Sequence, residues 1–171
     1  MKNSRLLVVG VLLVTSLFTT ALRSDAASKD EQEIRALENR YEAAVRAKDV
    51  DAIMKSYVPG AELFVFDAMP PRQYVGFDAY KKDWQGVFEM FSGPVDKFEV
   101  QDLSIVADGK LAYSHSIQAG IYTTKDGSKF GLTLHVTDCY RKINGKWLIT
   151  QEHVSVLVDL GTGKADLESK P

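Results

Sequence analysis

The first chemical feature of this sequence is a carboxylate set into an apolar row. Between Phe130 and Ile143, alternate residues Leu132, Leu134, Val136, Asp138 and Tyr140 share one face of a strand. Thr133, His135, Thr137, Cys139 and Arg141 share the other. Desolvation on the apolar face raises a carboxyl pKa, so Asp138 can stay protonated and donate a hydrogen bond. The competing reading is a structural acid paired with a buried Arg, Tyr or backbone amide. Asp67 follows Phe64-Val65-Phe66 and precedes Pro70-Pro71, which suits a strand end near a cavity mouth or a plain turn. His115 alternates with Leu111, Tyr113, Ile117 and Ile121, so it is expected to point inward, as a satisfied core histidine or a ligand contact. Glu152 and His153 are neighbours in a strand, and only one of them can reach a common interior.

Other chemistries lack their residues. No His-x-His, Glu-x-x-His or Cys/His cluster has ligand spacing, so no metal is expected. Neither a glycine-rich phosphate loop nor Gly-x-Ser-x-Gly is present. Cys139 is alone, which precludes an internal disulfide, and a buried inert thiol is favoured over a nucleophile.

These residues must be held by one domain. The 171 residues are 45% hydrophobic and 10% aromatic, enough for a single core and too few for two ordinary ones. A formal net charge of -2 excludes the basic footprint of a dedicated nucleic-acid binder. Residues 1–26 are expected to stand apart as a signal peptide. Lys2 and Arg5 precede the apolar run Leu6 to Leu22, and Ser24 and Ala26 supply small-x-small cleavage spacing. The protein is therefore expected to be secreted or periplasmic, with no stable membrane anchor after cleavage; an uncleaved anchor is the competing reading.

Ser28 and Glu31 have capping-box spacing, and Ile34, Leu37, Tyr41, Ala44 and Val45 follow as a helical stripe. Asp49 can cap a second short helix with Ile53, Met54 and Tyr57. Glu62 to Phe66 suits a strand covered on both faces. A third helical pattern runs from Phe77 through Tyr80, Trp84 and Phe88 to Phe91. Four long strands are then expected, over 97–107, 111–123, 130–143 and 147–158, separated by Asp108-Gly109, Asp126-Gly127 and Asn144-Gly145. Residues 160–171 are expected to form a polar tail. The pattern implies an α+β domain, a curved antiparallel sheet wrapped around the N-terminal helices, with room inside for a small molecule.

The order of elements resembles the nuclear-transport-factor-2-like superfamily, closest to its SnoaL-like and ketosteroid isomerase homologue branch. The resemblance rests on Tyr74-Val75-Gly76, on Thr137 to Lys142, and on the Trp147 to Ser155 strand, and it spans about 30–159. It implies the cone-shaped fold of that superfamily, but many activities share the fold. Ketosteroid isomerases use an Asp base with a Tyr and a protonated Asp as oxyanion hole. By position, the resemblance implies that Asp67 is the base, with Tyr41 and neutral Asp138 as donors. His115, Glu152 and Trp84 complete the expected ligand-contacting set, and Glu152 makes the interior too acidic to suit a greasy steroid. Proton transfer next to a carbonyl without a cofactor is one expectation; a non-catalytic small-molecule-binding or interaction module is the other. Apolar residues on both strand faces, Trp147 and Ile149 opposite Leu148 and Val154, imply a homodimer.

Overall fold

The computed structural model describes residues 27–91 and 93–169; the expected leader lies outside them. Helix α1, Lys29–Ala47, begins where the Ser28 hydroxyl accepts the Glu31 N–H at 3.1 Å. It ends at Lys48, whose φ of 56° turns the chain back. The Lys48 ammonium then donates to the Phe91 carbonyl at 2.7 Å, tying this end to the end of α3. Asp49 caps the short helix α2, Val50–Met54, through the Ala52 N–H. Strands β1, Phe64–Phe66, and β2, Gln73–Val75, form a small hairpin before α3, Phe77–Met90. Four long strands follow: β3, Val95–Asp108; β4, Leu111–Thr123; β5, Lys129–Ile143; and β6, Lys146–Ser155.

The six strands form one sheet in the order β2-β1-β6-β5-β4-β3. All neighbours are antiparallel except β1 and β6, so the expected antiparallel sheet is a mixed one. The parallel pair arises because β1 is reached from the helices, whereas each long strand reaches the next by a hairpin. At the last hairpin Asn144 and Gly145 both take positive φ, 50° and 78°, as a tight two-residue turn requires.

Helix α1 lies across β3. Arg35 Nη1 donates to the Leu103 carbonyl at 3.2 Å, Arg46 Nη1 donates to the Phe98 carbonyl at 3.0 Å, and Glu42 accepts the Val100 N–H. Ile34, Leu37, Tyr41 and Val45 thereby meet Phe98, Tyr140 and Ile149 in the core. That burial is the main stabilising term, at about 1.5–3 kcal/mol for each large side chain.

Three irregularities interrupt the register of the sheet, the first between Val95 and Lys97 of β3. In β3 the register shifts between Gln101 and Ser104, with Asp102 at φ 51°. In β6, Tyr140 faces Ile149 but Cys139 faces Gln151, so Thr150 is an extra residue. This bulge reverses the parity of the strand. Trp147 and Ile149 point inward before it, Glu152 and Val154 after it. The expectation that Val154 faces away from Trp147 is therefore corrected, because uninterrupted alternation does not hold across a bulge. The tail is also more ordered than a polar terminus suggests. β7, Leu157–Asp159, and β8, Lys164–Asp166, form a hairpin, and the Thr133 N–H donates to the Leu167 carbonyl at 2.8 Å.

Candidate functional site

Antiparallel registry sets Asp138 of β5 directly opposite Glu152 of β6, both on the inner face. They are 1% and 2% exposed, and Glu38 of α1, 2% exposed, joins them from across the interior. The bulge at Thr150 is what brings Glu152 to Asp138. Without it, His153 would face in and Glu152 would face out.

Tyrosines hold this cluster. Glu152 accepts the Tyr57 hydroxyl at 2.6 Å and the Tyr80 hydroxyl at 2.5 Å, one on each oxygen. The Tyr140 oxygen lies 2.8 Å from Glu38 Oε1 and 2.8 Å from Ser114 Oγ. With one proton to give, Tyr140 donates to Glu38 and accepts from Ser114. Its 3.5 Å approach to Asp138 Oδ2 is then a contact without a proton of its own. Asp138 Oδ1 receives no N–H or O–H donor at all.

Proton sharing resolves that orphan. Burial first, then the charges of Glu152 and Glu38, push the Asp138 carboxyl well above its ordinary range. Burial also raises Glu152, but hydrogen bonds from Tyr57, Tyr80 and Asp138 oppose the shift. The pair therefore holds one proton on Asp138, which donates to an ionised Glu152. Burial raises Glu38 to about 7, despite the hydrogen bond from Tyr140. Tyr41, Tyr57 and Tyr80 are raised further by burial and by the Glu152 charge, so they stay neutral donors.

Tyr41 of α1 makes only a 3.5 Å hydrogen bond, to Gln118 Oε1. Its ring meets Trp84 of α3 edge-on at 6.1 Å. The Trp84 indole N–H is buried without an acceptor. Asp67 lies just beyond β1, half-buried, where it accepts the Met69 N–H at 3.0 Å. Burial raises its pKa, and the Asp83 charge adds to the shift. Asp83 accepts the Tyr74 hydroxyl at 2.5 Å and is itself raised by burial.

Of the residues singled out in the sequence, Tyr41, Asp138, Glu152 and Trp84 face the interior, with Asp67 at its edge. His115 does not. It is exposed on the outer face of β4, and the inward expectation is corrected. The inner row of β4 is Ala112, Ser114, Ser116, Gln118 and Tyr122, so the apolar row points outward. Glu38, Tyr140, Tyr57, Tyr80 and Ser114 were missed as site residues. Glu38 carried a readable signal, because it sits within the helical stripe between Leu37 and Tyr41. The tyrosines fit apolar patterns, which conceal what a hydroxyl does.

Concavities open on the surface of the described residues. One of about 1080 Å³ lies along α1, α2 and the start of β6; another, about 350 Å³, lies between Val106, Leu111, Tyr113 and Arg141 on the outer sheet face. Neither is lined by Asp67, Tyr41 or Asp138.

A family model described as the SnoaL-like domain matches residues 34–159. No curated protein matches. Among solved structures, an NTF2-like protein of unknown function from Pseudomonas putida KT2440 is 32% identical, with a TM-score of 0.74. The match covers 85% of this chain and 100% of that one. A ketosteroid isomerase-like protein from Erwinia carotovora atroseptica is 21% identical with a TM-score of 0.62, over 75% and 96% of the two chains. A candidate scytalone dehydratase from Novosphingobium aromaticivorans is 19% identical with a TM-score of 0.64, over 73% and 82%. The last two share the fold and carry no more than that.

Proposed function

The chain belongs to the SnoaL-like family of NTF2-like domains, and we propose that its interior binds a small organic molecule and moves a proton on it without a cofactor. The observation that carries this reading is Asp138, a fully buried acid set opposite Glu152 with no ion-pair partner among the described residues, so that it holds a proton. Asp67, its pKa raised by burial, takes a proton from the carbon next to a carbonyl. The electron pair moves onto the carbonyl oxygen. Tyr41, weakly engaged by Gln118, and neutral Asp138 donate hydrogen bonds to that oxygen. Asp138 turns its proton from Glu152 to the ligand, and Glu152 keeps its two tyrosines. Protonated Asp67 then returns the proton to the carbon framework. Metal and redox groups have no part in the proposal.

Deuterium exchange at the α-carbon of a bound ketone, followed by proton NMR, tests the step. The exchange rate should fall about 10²–10⁴-fold in Asp67→Asn. Asp138→Leu should lose ligand binding while its melting temperature holds or rises, because no buried cation loses a partner. Strong destabilisation by Leu would make Asp138 a structural acid and remove the site.

Export through residues 1–26 and homodimer formation belong to the same proposal. A second reading, an interaction module without catalysis, is favoured by one feature. Val106, Leu111 and Tyr113 are 49%, 63% and 50% exposed on the outer sheet face, as an unpaired dimer surface would be. Native mass spectrometry of the purified protein separates the two readings by copurified ligand.

A further inference from the structure

The interior has an unusual charge composition. Glu38 of α1, Asp67 beyond β1, Asp83 of α3, Asp138 of β5 and Glu152 of β6 all face it or its edge. The remaining titratable groups there are the tyrosines, Tyr41, Tyr57, Tyr74, Tyr80, Tyr122 and Tyr140. Among the described residues, none of the five acids has an ion-pair partner. The nearby cations are engaged elsewhere: Lys48 with the Phe91 carbonyl and the Phe88 ring, Lys81 with Asp51, Lys142 with Asp30 and Glu33, Arg141 with Glu62. His153 stands on the other face against Phe66.

Acid clusters alone hold nothing, but two other polar groups here lack partners. Ser116, 4% exposed, has an unpartnered Oγ. It lies on the inner row of β4 between Ser114, which engages Tyr140, and Gln118, which engages Tyr41, so it is aimed into the same interior. The Trp84 indole N–H, a donor only, also needs an oxygen. Tyr74 and Trp84 are half-buried at the edge, their rings 5.7 Å and 6.2 Å from the buried ring of Tyr80. Aromatic faces beside unpaired carboxylates attract positive charge.

We infer that the ligand carries an organic cation, a protonated amine or quaternary ammonium group, seated where Asp67 and Asp83 flank the rings of Tyr74, Tyr80 and Trp84. An oxygen elsewhere on the same ligand reaches Trp84 Nε1 or Ser116 Oγ. The inference rests on the proposed small-molecule site and names its ligand class. It also distinguishes this interior from one built for a neutral apolar molecule, which would find five acids and no counter-charge.

Calorimetric titration with choline, beside its uncharged isostere 3,3-dimethyl-1-butanol and the neutral enone 2-cyclohexenone, tests the inference. Choline should bind about tenfold or more tightly than the isostere. Asp83→Asn keeps an oxygen for the Tyr74 hydroxyl and should weaken choline about tenfold while leaving the isostere unchanged. Choline affinity should also fall as pH is lowered through the raised pKa values of Asp67 and Asp83, since protonation removes their charge. Equal affinity for choline and its isostere would overturn the inference. So would binding of cyclohexenone without choline, which would leave the proposed small-molecule site standing. No binding of any of the three would overturn both.

Discussion

The two faces of β4 divide their residues against the usual rule. The buried face carries Ser114, Ser116 and Gln118; the exposed face carries Leu111, Tyr113 and Ile121. Polar groups inside cost free energy unless something satisfies them, and apolar groups outside gain from being covered. The inner row is small and hydroxylated where it serves the tyrosines and acids of α1, α3, β5 and β6. The outer row is apolar across a broad patch with Val106. Position on this sheet thus reflects what the inner face meets, a polar interior, while the apolar outer row stays exposed on the single chain.

The inner face should be the more fragile. Glu152→Ala leaves the Tyr57 and Tyr80 hydroxyls buried without an acceptor, at about 1–3 kcal/mol each. Chemical denaturation should show a loss of several kcal/mol, whereas Glu152→Gln should cost about 1 kcal/mol. Equal losses would mean that volume, not the carboxylate, matters there.

Next in size is a pH effect confined to the inner face. Glu38 ionises near 4.5 in the unfolded chain and near about 7 in the folded one. Its stabilisation is therefore complete below the unfolded value and disappears as pH rises through about 7, up to roughly 3 kcal/mol. Asp138, Glu152, Asp67 and Asp83, all raised, add slopes of the same sign. Thermal melts between these pH values should show a flatter decline for Glu38→Gln than for the unaltered protein. Parallel profiles would remove Glu38 from the cluster.

The smallest effect on the folded subunit is expected outside. Leu111→Glu should leave the stability of the folded chain within about 0.5 kcal/mol of the parent, since the site is exposed. Sedimentation should nevertheless shift from dimer to monomer. An unchanged sedimentation coefficient would show that this face is not where two copies meet.

Much of the architecture was readable because local chemistry marks its boundaries. Ser28, Asp49, Gly76 and Asn144-Gly145 are caps and turns whose backbone demands few other residues meet. The inward face of β5 was readable for the same reason, since alternation runs unbroken from Leu132 to Tyr140. β6 was not, because Thr150 is an ordinary strand residue and nothing in its type announces a bulge. The pattern of β4 points the opposite way from its burial, because its apolar residues face out and its small polar ones face in. The site was half-legible: Asp138 stood out in an apolar row, while Tyr57, Tyr80 and Tyr140 passed as core aromatics until their hydroxyls met carboxylates.

The C-terminal residues have a protective role. β5 begins at Lys129, but its pairing with β6 starts only at His135, so its first residues have a free edge on that side. The Leu167 carbonyl takes the Thr133 N–H on that edge, and the Glu168 side chain lies against Gly131. A chain cut at 159, where the family model ends, would expose unpaired amides beside Phe130 and Leu132. Such an edge is a template on which strands of other molecules can add, so the last turn of this protein guards it against aggregation.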